Sequence, residues 1–267
     1  MGTHPKTSGV FNYSIYDFKF TEKNLHNYLL IAGDHLYNLR VALDGSHVLF
    51  QRKIDDNNEI FLTNLNGDFI QNISNHDSSD MYPEFSPDSK SIVFNSNRNG
   101  NWEIYKYELN GTLQNLSNNP AMDLYPIFSP DGGEILFSSK RDGNWEVYKM
   151  SVAGSNQINL SKNSALDLSS EFSPDGNLIA FESNRDGNSG IYVMNSDGSS
   201  QEVFSNDPGG DFIPRFSPDG SKIAFMTNGQ NGLELHIKNL DGSNLINLSQ
   251  SIHFSVLDFD FERNLKN

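Results

Sequence analysis

The segment FSPDGGEILFSSKRDGNWEVY, residues 128–148, decides the fold because close copies of it recur along the chain. Its opening Phe-Ser-Pro-Asp stands at four positions spaced by 43, 44 and 44 residues: Phe85, Phe128, Phe172 and Phe216. Weaker copies begin at Val41 and Phe259. Asn-Leu-Ser or a close variant ends at Ser74, Ser117, Ser161, Ser205 and Ser249, with the same period. A fixed period of this length indicates a repeat architecture.

Each repeat predicts four short strands joined by tight turns. Pro at the second position and Gly at the fourth of Ser-Pro-Asp-Gly suit a type I turn between the first two strands. Arg-Asp-Gly-Asn closes the next hairpin, and a second Asn-Gly or Asp-Gly follows the third strand, because such pairs tolerate a positive φ. Four antiparallel strands in about 44 residues are typical of a propeller blade.

The chain length of 267 residues accommodates about six such periods. We therefore predict an all-β, six-bladed β-propeller with four-stranded antiparallel blades. Five blades would begin near Tyr37, Met81, Leu124, Leu168 and Phe212. The sixth would be closed by strands from both termini, drawn from residues 10–31 and 254–262. On this interpretation residues 1–9 are a disordered or tag-like N-terminus, and residues 10–267 are a single domain.

Composition limits the partners. The formal net charge is −15, which disfavours nucleic acid, and the chain has no cysteine for disulfides or thiolate sites. No apolar run approaches the roughly 20 residues of a membrane span. The polar start lacks a signal core, which leaves two compartments open: the protein is periplasmic or secreted if a signal peptide was removed, and otherwise cytoplasmic. We expect a monomer.

The repeat markers resemble those of the TolB-like propeller family, which has a Phe-Ser-Pro-Asp-Gly turn and an Arg-Asp-Gly-Asn-x-x-Ile-Tyr hairpin. Residues 81–249 carry the clearest match. The resemblance implies a propeller fold and leaves several functions open. The family includes a periplasmic protein that binds partners at one propeller mouth, gating domains of serine peptidases, and an oligogalacturonate lyase.

Strand alternation places the loops after the second and fourth strands at one mouth of the channel. These loops contain acidic, basic and aromatic side chains that are candidates for ligand binding: Asp80, Asp123, Asp167, Asp211, Arg98, Arg141, Arg185, Trp102 and Trp145. Converging carboxylates would bind a cation such as Ca²⁺. Alternatively, each Asp would fix its own loop or pair with an Arg of the neighbouring blade.

Residues that break the repeat suggest a second, metal-binding candidate at the same mouth: Asp34, His35, His76 and His253. No Gly-x-Ser-x-Gly, His-Glu-x-x-His or phosphate-binding glycine loop is present in the sequence. The leading hypothesis is therefore a non-enzymatic module that binds a protein or peptide at this mouth. The alternative is a carbohydrate-binding or lyase-like propeller that binds an oligosaccharide, with a cation in the channel and tryptophans as stacking platforms.

Overall fold

The computed structural model describes residues 36–229 and 232–249, and within them every regular element is a β-strand. No described segment forms a helix long and apolar enough to cross a membrane. The prediction of an all-β chain of four-stranded units is confirmed.

Each repeat supplies four consecutive strands, here called a, b, c and d. Blade 1 contains β1 Leu36–Val41, β2 His47–Ile54, β3 Asn57–Asn64 and β4 Ile70–Asn72. Blade 2 contains β5 Asp80–Phe85, β6 Ser91–Ser96, β7 Glu103–Glu108 and β8 Leu113–Asn115. Blade 3 contains β9 Asp123–Phe128, β10 Glu134–Ser139, β11 Glu146–Ser151 and β12 Ile158–Asn159. Blade 4 contains β13 Asp167–Phe172, β14 Leu178–Ser183, β15 Gly190–Asn195 and β16 Glu202–Ser205. Blade 5 contains β17 Asp211–Phe216, β18 Lys222–Gly229, β19 Gly232–Asn239 and β20 Ile246–Asn247.

The propeller has five blades in the described part of the chain, so the prediction of six blades is wrong. Every blade is an antiparallel sheet in the order a-b-c-d, built from one repeat. The count of six came from dividing the length by the period and from joining two incomplete copies. Each described blade takes all four strands and its three connecting turns from one repeat. The segments assigned to the sixth blade, and the predicted N-terminal tail, lie outside the described residues.

The core lies between successive blades, because a single sheet cannot bury both of its faces. Strand b carries a fully buried phenylalanine in each blade: Phe50, Phe94, Phe137, Phe181 and Phe225. Alternate residues of one blade face opposite neighbours. Phe94 and Tyr105 pack against blade 1, whereas Val93 and Ile104 pack against blade 3.

The a strands are innermost, since those of successive blades contact one another while each d strand forms an outer edge. Each a strand has a β-bulge whose central residue adopts a left-handed φ. These residues are Asn38, Tyr82, Tyr125, Ser169 and Ile213, with φ between 49° and 57°. Left-handed φ is uncommon for residues other than glycine, so neighbouring groups must hold the bulge in place.

The Ser-Pro-Asp-Gly turns close the a–b hairpins on the face opposite the predicted mouth. Ser217 donates a hydrogen bond to Asp219 at 2.6 Å, and Asp219 also accepts the Ser221 backbone N–H at 3.0 Å. The bond from Ser217, followed by those from Ser221, lowers the pKa of Asp219 to about 2 from its ordinary 3.8. These bonds give Asp219 a structural role in its turn.

Acid should weaken the fold partly through this turn. Because the folded-state pKa of Asp219 is depressed, its contribution is complete above about pH 4 and is lost as pH falls towards about 2. We expect the free energy of unfolding of Asp219→Asn to fall less steeply than wild type across that window. Urea titrations between pH 2 and pH 5 measure the slope; identical slopes in the two proteins would contradict the assignment.

Candidate functional site

The predicted mouth aspartates lie inside the blades rather than on the mouth surface. Asp80, Asp123 and Asp167 are each 0% exposed, at the start of strand a. Each accepts a hydrogen bond from the arginine 18 residues later in the same blade, with N–O distances of 3.0–3.2 Å: Arg98, Arg141 and Arg185. The alternative hypothesis, in which each Asp pairs with an Arg, agrees with this geometry. The arginine, however, belongs to the same blade as the aspartate and not to the neighbouring blade.

Each of these arginines is held between two aromatic rings. The Arg141 guanidinium lies 4.6 Å from the Tyr148 ring centroid and 5.3 Å from that of Phe137, and its Nε donates to Ser139 at 2.7 Å. Arg98 and Arg185 repeat this arrangement in blades 2 and 4. Planar guanidinium groups suit such stacked and hydrogen-bonded sites. We call each Asp–Arg–aromatic set a guanidinium clamp.

The clamps also join neighbouring blades. Arg141 donates to Gln157 Oε1, and Gln157 Nε2 donates to the Leu116 and Ser117 carbonyls of blade 2 at 3.2 and 3.1 Å. Arg185 and Gln201 connect blade 4 to blade 3 in the same way. Burial raises the pKa of Asp123 despite the bonds from Ser139 and Arg141. The geometry gives Asp80, Asp123 and Asp167 a structural task, and their predicted ligand-binding role remains a prediction.

Blade 5 keeps the aspartate but lacks the clamp. Asp211 is fully buried and accepts Thr227 Oγ1 at 2.6 Å and the Asp207 N–H at 3.0 Å. Gly229 stands where blades 2, 3 and 4 have arginine. His236 replaces the stacking tyrosine, and its ring lies between Thr227 and Glu234 at 3.3 and 3.2 Å.

The two tryptophans are half-buried in the b–c loops at the predicted mouth. The carbonyl of Trp102 accepts the Asp123 N–H, and that of Trp145 accepts the Asp167 N–H, both at 2.8 Å. Each loop therefore abuts the inner strand of the next blade. Blade 4 has Ser189 at the corresponding position, which removes the bulk of an indole from that part of the rim.

Of the predicted metal-binding residues, His76 alone lies in the described part of the chain, so the predicted site stays a prediction. His76 is exposed, and its Nδ1 accepts the Ser78 N–H at 3.1 Å. Asp34, His35 and His253 lie outside the described residues. Within residues 36–229 and 232–249, no three His, Asp or Glu side chains are grouped to hold a metal ion. Calcium binding therefore remains a prediction.

A set of residues that sequence reasoning missed lies on strand b, beside the channel. Gln51 and Asn95 each accept the backbone N–H of the bulge residue in the next blade, from Tyr82 at 3.4 Å and Tyr125 at 3.1 Å. In blade 4 the carboxylate of Glu182 accepts the Ile213 N–H. Position-by-position comparison of the repeats would have shown that this site changes from blade to blade: Gln51, Asn95, Ser138, Glu182 and Met226.

Tyr82 and Tyr125 meet where their bulges project from the inner strands. Their ring centroids are 4.8 Å apart at an interplanar angle of 67°. Burial raises the pKa of Tyr125 to about 12, with further contributions from Tyr82 and from the charge of Glu182. Glu182 belongs to blade 4 and Tyr125 to blade 3, so the charge of Glu182 acts on Tyr125 from another blade. We call Tyr82, Tyr125, Glu182 and Ser189 the channel group.

Comparison with known families gives one decisive match. Residues 110–255, just over half of the chain, match the family model described as the TolB beta propeller domain. The chain belongs to the TolB β-propeller family. The family resemblance drawn from the repeat markers is thus confirmed for this TolB-like propeller. No curated protein matches the chain.

Solved structures agree on the fold of this TolB-like propeller. TolB from Acinetobacter baumannii is 22% identical with a TM-score of 0.69, covering 80% of this chain and 54% of that one. A putative TolB from Agrobacterium tumefaciens has the same identity and TM-score, with 80% of both chains covered. An oligogalacturonate lyase in complex with manganese is 14% identical with a TM-score of 0.63, covering 80% of this chain and 65% of that one. The chain therefore spans about half the length of the Acinetobacter TolB.

Proposed function

We propose that this TolB-like propeller is a non-enzymatic binding module that receives a protein or peptide at the mouth formed by the d–a and b–c loops. The observation that carries the proposal is that structural positions of the repeat recur, whereas positions at the mouth vary. The guanidinium clamps recur with little change in blades 2, 3 and 4, as do the a–b turns, whereas the rim and channel-wall positions differ from blade to blade. Variable side chains on a rigid scaffold are typical of recognition sites.

The rim supports this proposal chemically. It presents Asn58 near the start of strand c in blade 1, and Trp102, Trp145 and Ser189 in the b–c loops of blades 2, 3 and 4. Aromatic side chains dominate the binding energy of many protein interfaces, and small polar neighbours supply hydrogen bonds. Asn58 Oδ1 accepts from Gln51 Nε2 at 3.0 Å, and Ser189 Oγ donates to Glu182 at 3.0 Å, so rim and channel wall are connected.

A displayed library of random 12-residue peptides, selected on the immobilised protein, tests the proposal. We expect the selected peptides to bind the double variant Trp102→Ala/Trp145→Ala at least about tenfold more weakly than wild type. The matched control is Asn177→Ala, an exposed residue of the a–b turn on the opposite face, which should bind as wild type does. Circular dichroism checks that each variant is folded. Recovery of no peptide, or of peptides indifferent to both tryptophans, would refute a peptide-binding mouth.

One observation favours a second candidate function, carbohydrate binding. The two half-buried tryptophans stand in neighbouring b–c loops, where indole faces would stack on sugar rings. A glycan array including acidic oligosaccharides distinguishes the two functions. Glycan binding that disappears in the double tryptophan variant would support this candidate, and an array without signal would dismiss it.

A further inference from the structure

The channel-wall position on strand b has a structural task that requires no charge. Gln51 and Asn95 are neutral amides, and each satisfies the backbone N–H of a left-handed bulge residue in the next blade. Asn95 also donates its Nδ2 to the Asp123 carbonyl at 3.2 Å. An amide therefore holds the bulge at two of the blade junctions.

Glu182 performs the same task with a carboxylate. It accepts the Ile213 N–H and the Ser189 hydroxyl, just as Gln51 bonds with Tyr82 and Asn58. No lysine, arginine or histidine nitrogen of the described residues makes an ion pair with Glu182, whereas Asp80, Asp123, Asp167 and Glu84 each have an arginine. Placing an unpaired charge at a partly buried position costs free energy that an amide would avoid.

The surroundings of Glu182 suit a cation. Tyr82 and Tyr125 contact each other at the bulges of two innermost strands, within range of the charge of Glu182, and ring faces attract ammonium and guanidinium groups. Two hydrogen bonds leave carboxylate lone pairs of Glu182 unused. The side chain is also partly exposed, while the clamp aspartates are fully buried. A ligand can therefore reach this carboxylate.

We propose that the channel group receives a lysine or arginine side chain of a peptide partner, with Glu182 as counter-charge and Tyr82 and Tyr125 as the aromatic wall. This inference rests on the proposed binding function and adds the chemistry of the bound segment. A partner with a basic segment also complements the net charge of −15, which increases the rate of association.

Glu182→Gln is the decisive variant because it keeps an acceptor for the Ile213 N–H, as Gln51 does for Tyr82, and removes only the charge. Peptides selected on wild type should share a basic residue at one aligned position. Their affinity for Glu182→Gln should fall about tenfold to a hundredfold. Replacing the shared basic residue of the peptide by glutamine should weaken wild type equally and remove any further effect of Glu182→Gln. The melting temperature of Glu182→Gln at pH 7 should equal or exceed that of wild type.

Each outcome has a distinct reading. Peptides that depend on Trp102 and Trp145, yet carry no shared basic residue or bind Glu182→Gln normally, overturn the cation site and leave the binding module intact. A melting temperature lowered by several degrees in Glu182→Gln also overturns it, because the carboxylate would then serve the fold. Failure to select any peptide that depends on the tryptophans removes both proposals together.

Discussion

Asp123→Asn is expected to lower the free energy of unfolding by about 3–5 kcal/mol, because it leaves a buried guanidinium without its counter-charge. Arg141 is 15% exposed, and the amide oxygen of Asn would offer its guanidinium one neutral acceptor in place of a carboxylate. The Phe137 and Tyr148 rings flank this guanidinium and lower its contact with water. Equilibrium urea unfolding followed by fluorescence measures the change.

Asp211→Asn is the matched control for this prediction. The same position in blade 5 faces Thr227 and the Asp207 N–H and has no arginine, so the loss should be about 1 kcal/mol, the value of an ordinary hydrogen bond. Equal losses in the two variants would show that the carboxylate acts through backbone bonds alone, contrary to the clamp interpretation.

Phe181→Ala should have an effect of similar size, about 3–5 kcal/mol, through the cavity that it creates. Phe181 is fully buried, its ring centroid lies 5.8 Å from that of Tyr192, and it forms one side of the Arg185 clamp. The substitution therefore removes core volume and an arginine contact together. Thermal and urea unfolding give the loss of stability.

Val203→Ala in strand d of the same blade is the comparison. Val203 is 53% exposed, so its truncation should change stability by less than about 0.5 kcal/mol. If Phe181→Ala were as mild as Val203→Ala, the cores between blades could not be what holds the propeller together.

The strands were predictable because turn motifs in each repeat mark where strands begin and end. Turn motifs such as Ser86-Pro87-Asp88 mark every a–b hairpin, and apolar runs such as Ile92–Phe94 fall on buried strands. The number of blades was not predictable from the period alone. Length divided by period counts residues, and it does not tell whether an incomplete copy supplies four strands.

The candidate site was harder to predict, and for a physical reason. Residues equivalent to Asp123 and Arg141 recur in neighbouring repeats, at positions predicted to lie near the mouth. Sequence alone does not distinguish an exposed charged pair from a buried one. Only the burial between Phe137 and Tyr148 reveals a structural role. Glu182 was not predicted as a site residue because the sequence of strand b is typical of a core strand. Its carboxylate stands out only when it is compared with the amides at the same position in other blades.

The brevity of the outermost strands has a consequence for behaviour at high concentration. Ile158–Asn159 and Ile246–Asn247 contain two residues each, and their isoleucines are about half exposed. A free strand with so few unpaired amides offers almost no template for another molecule to extend the sheet. The propeller can therefore expose these isoleucines at its outer edge without extending its sheets into fibrils.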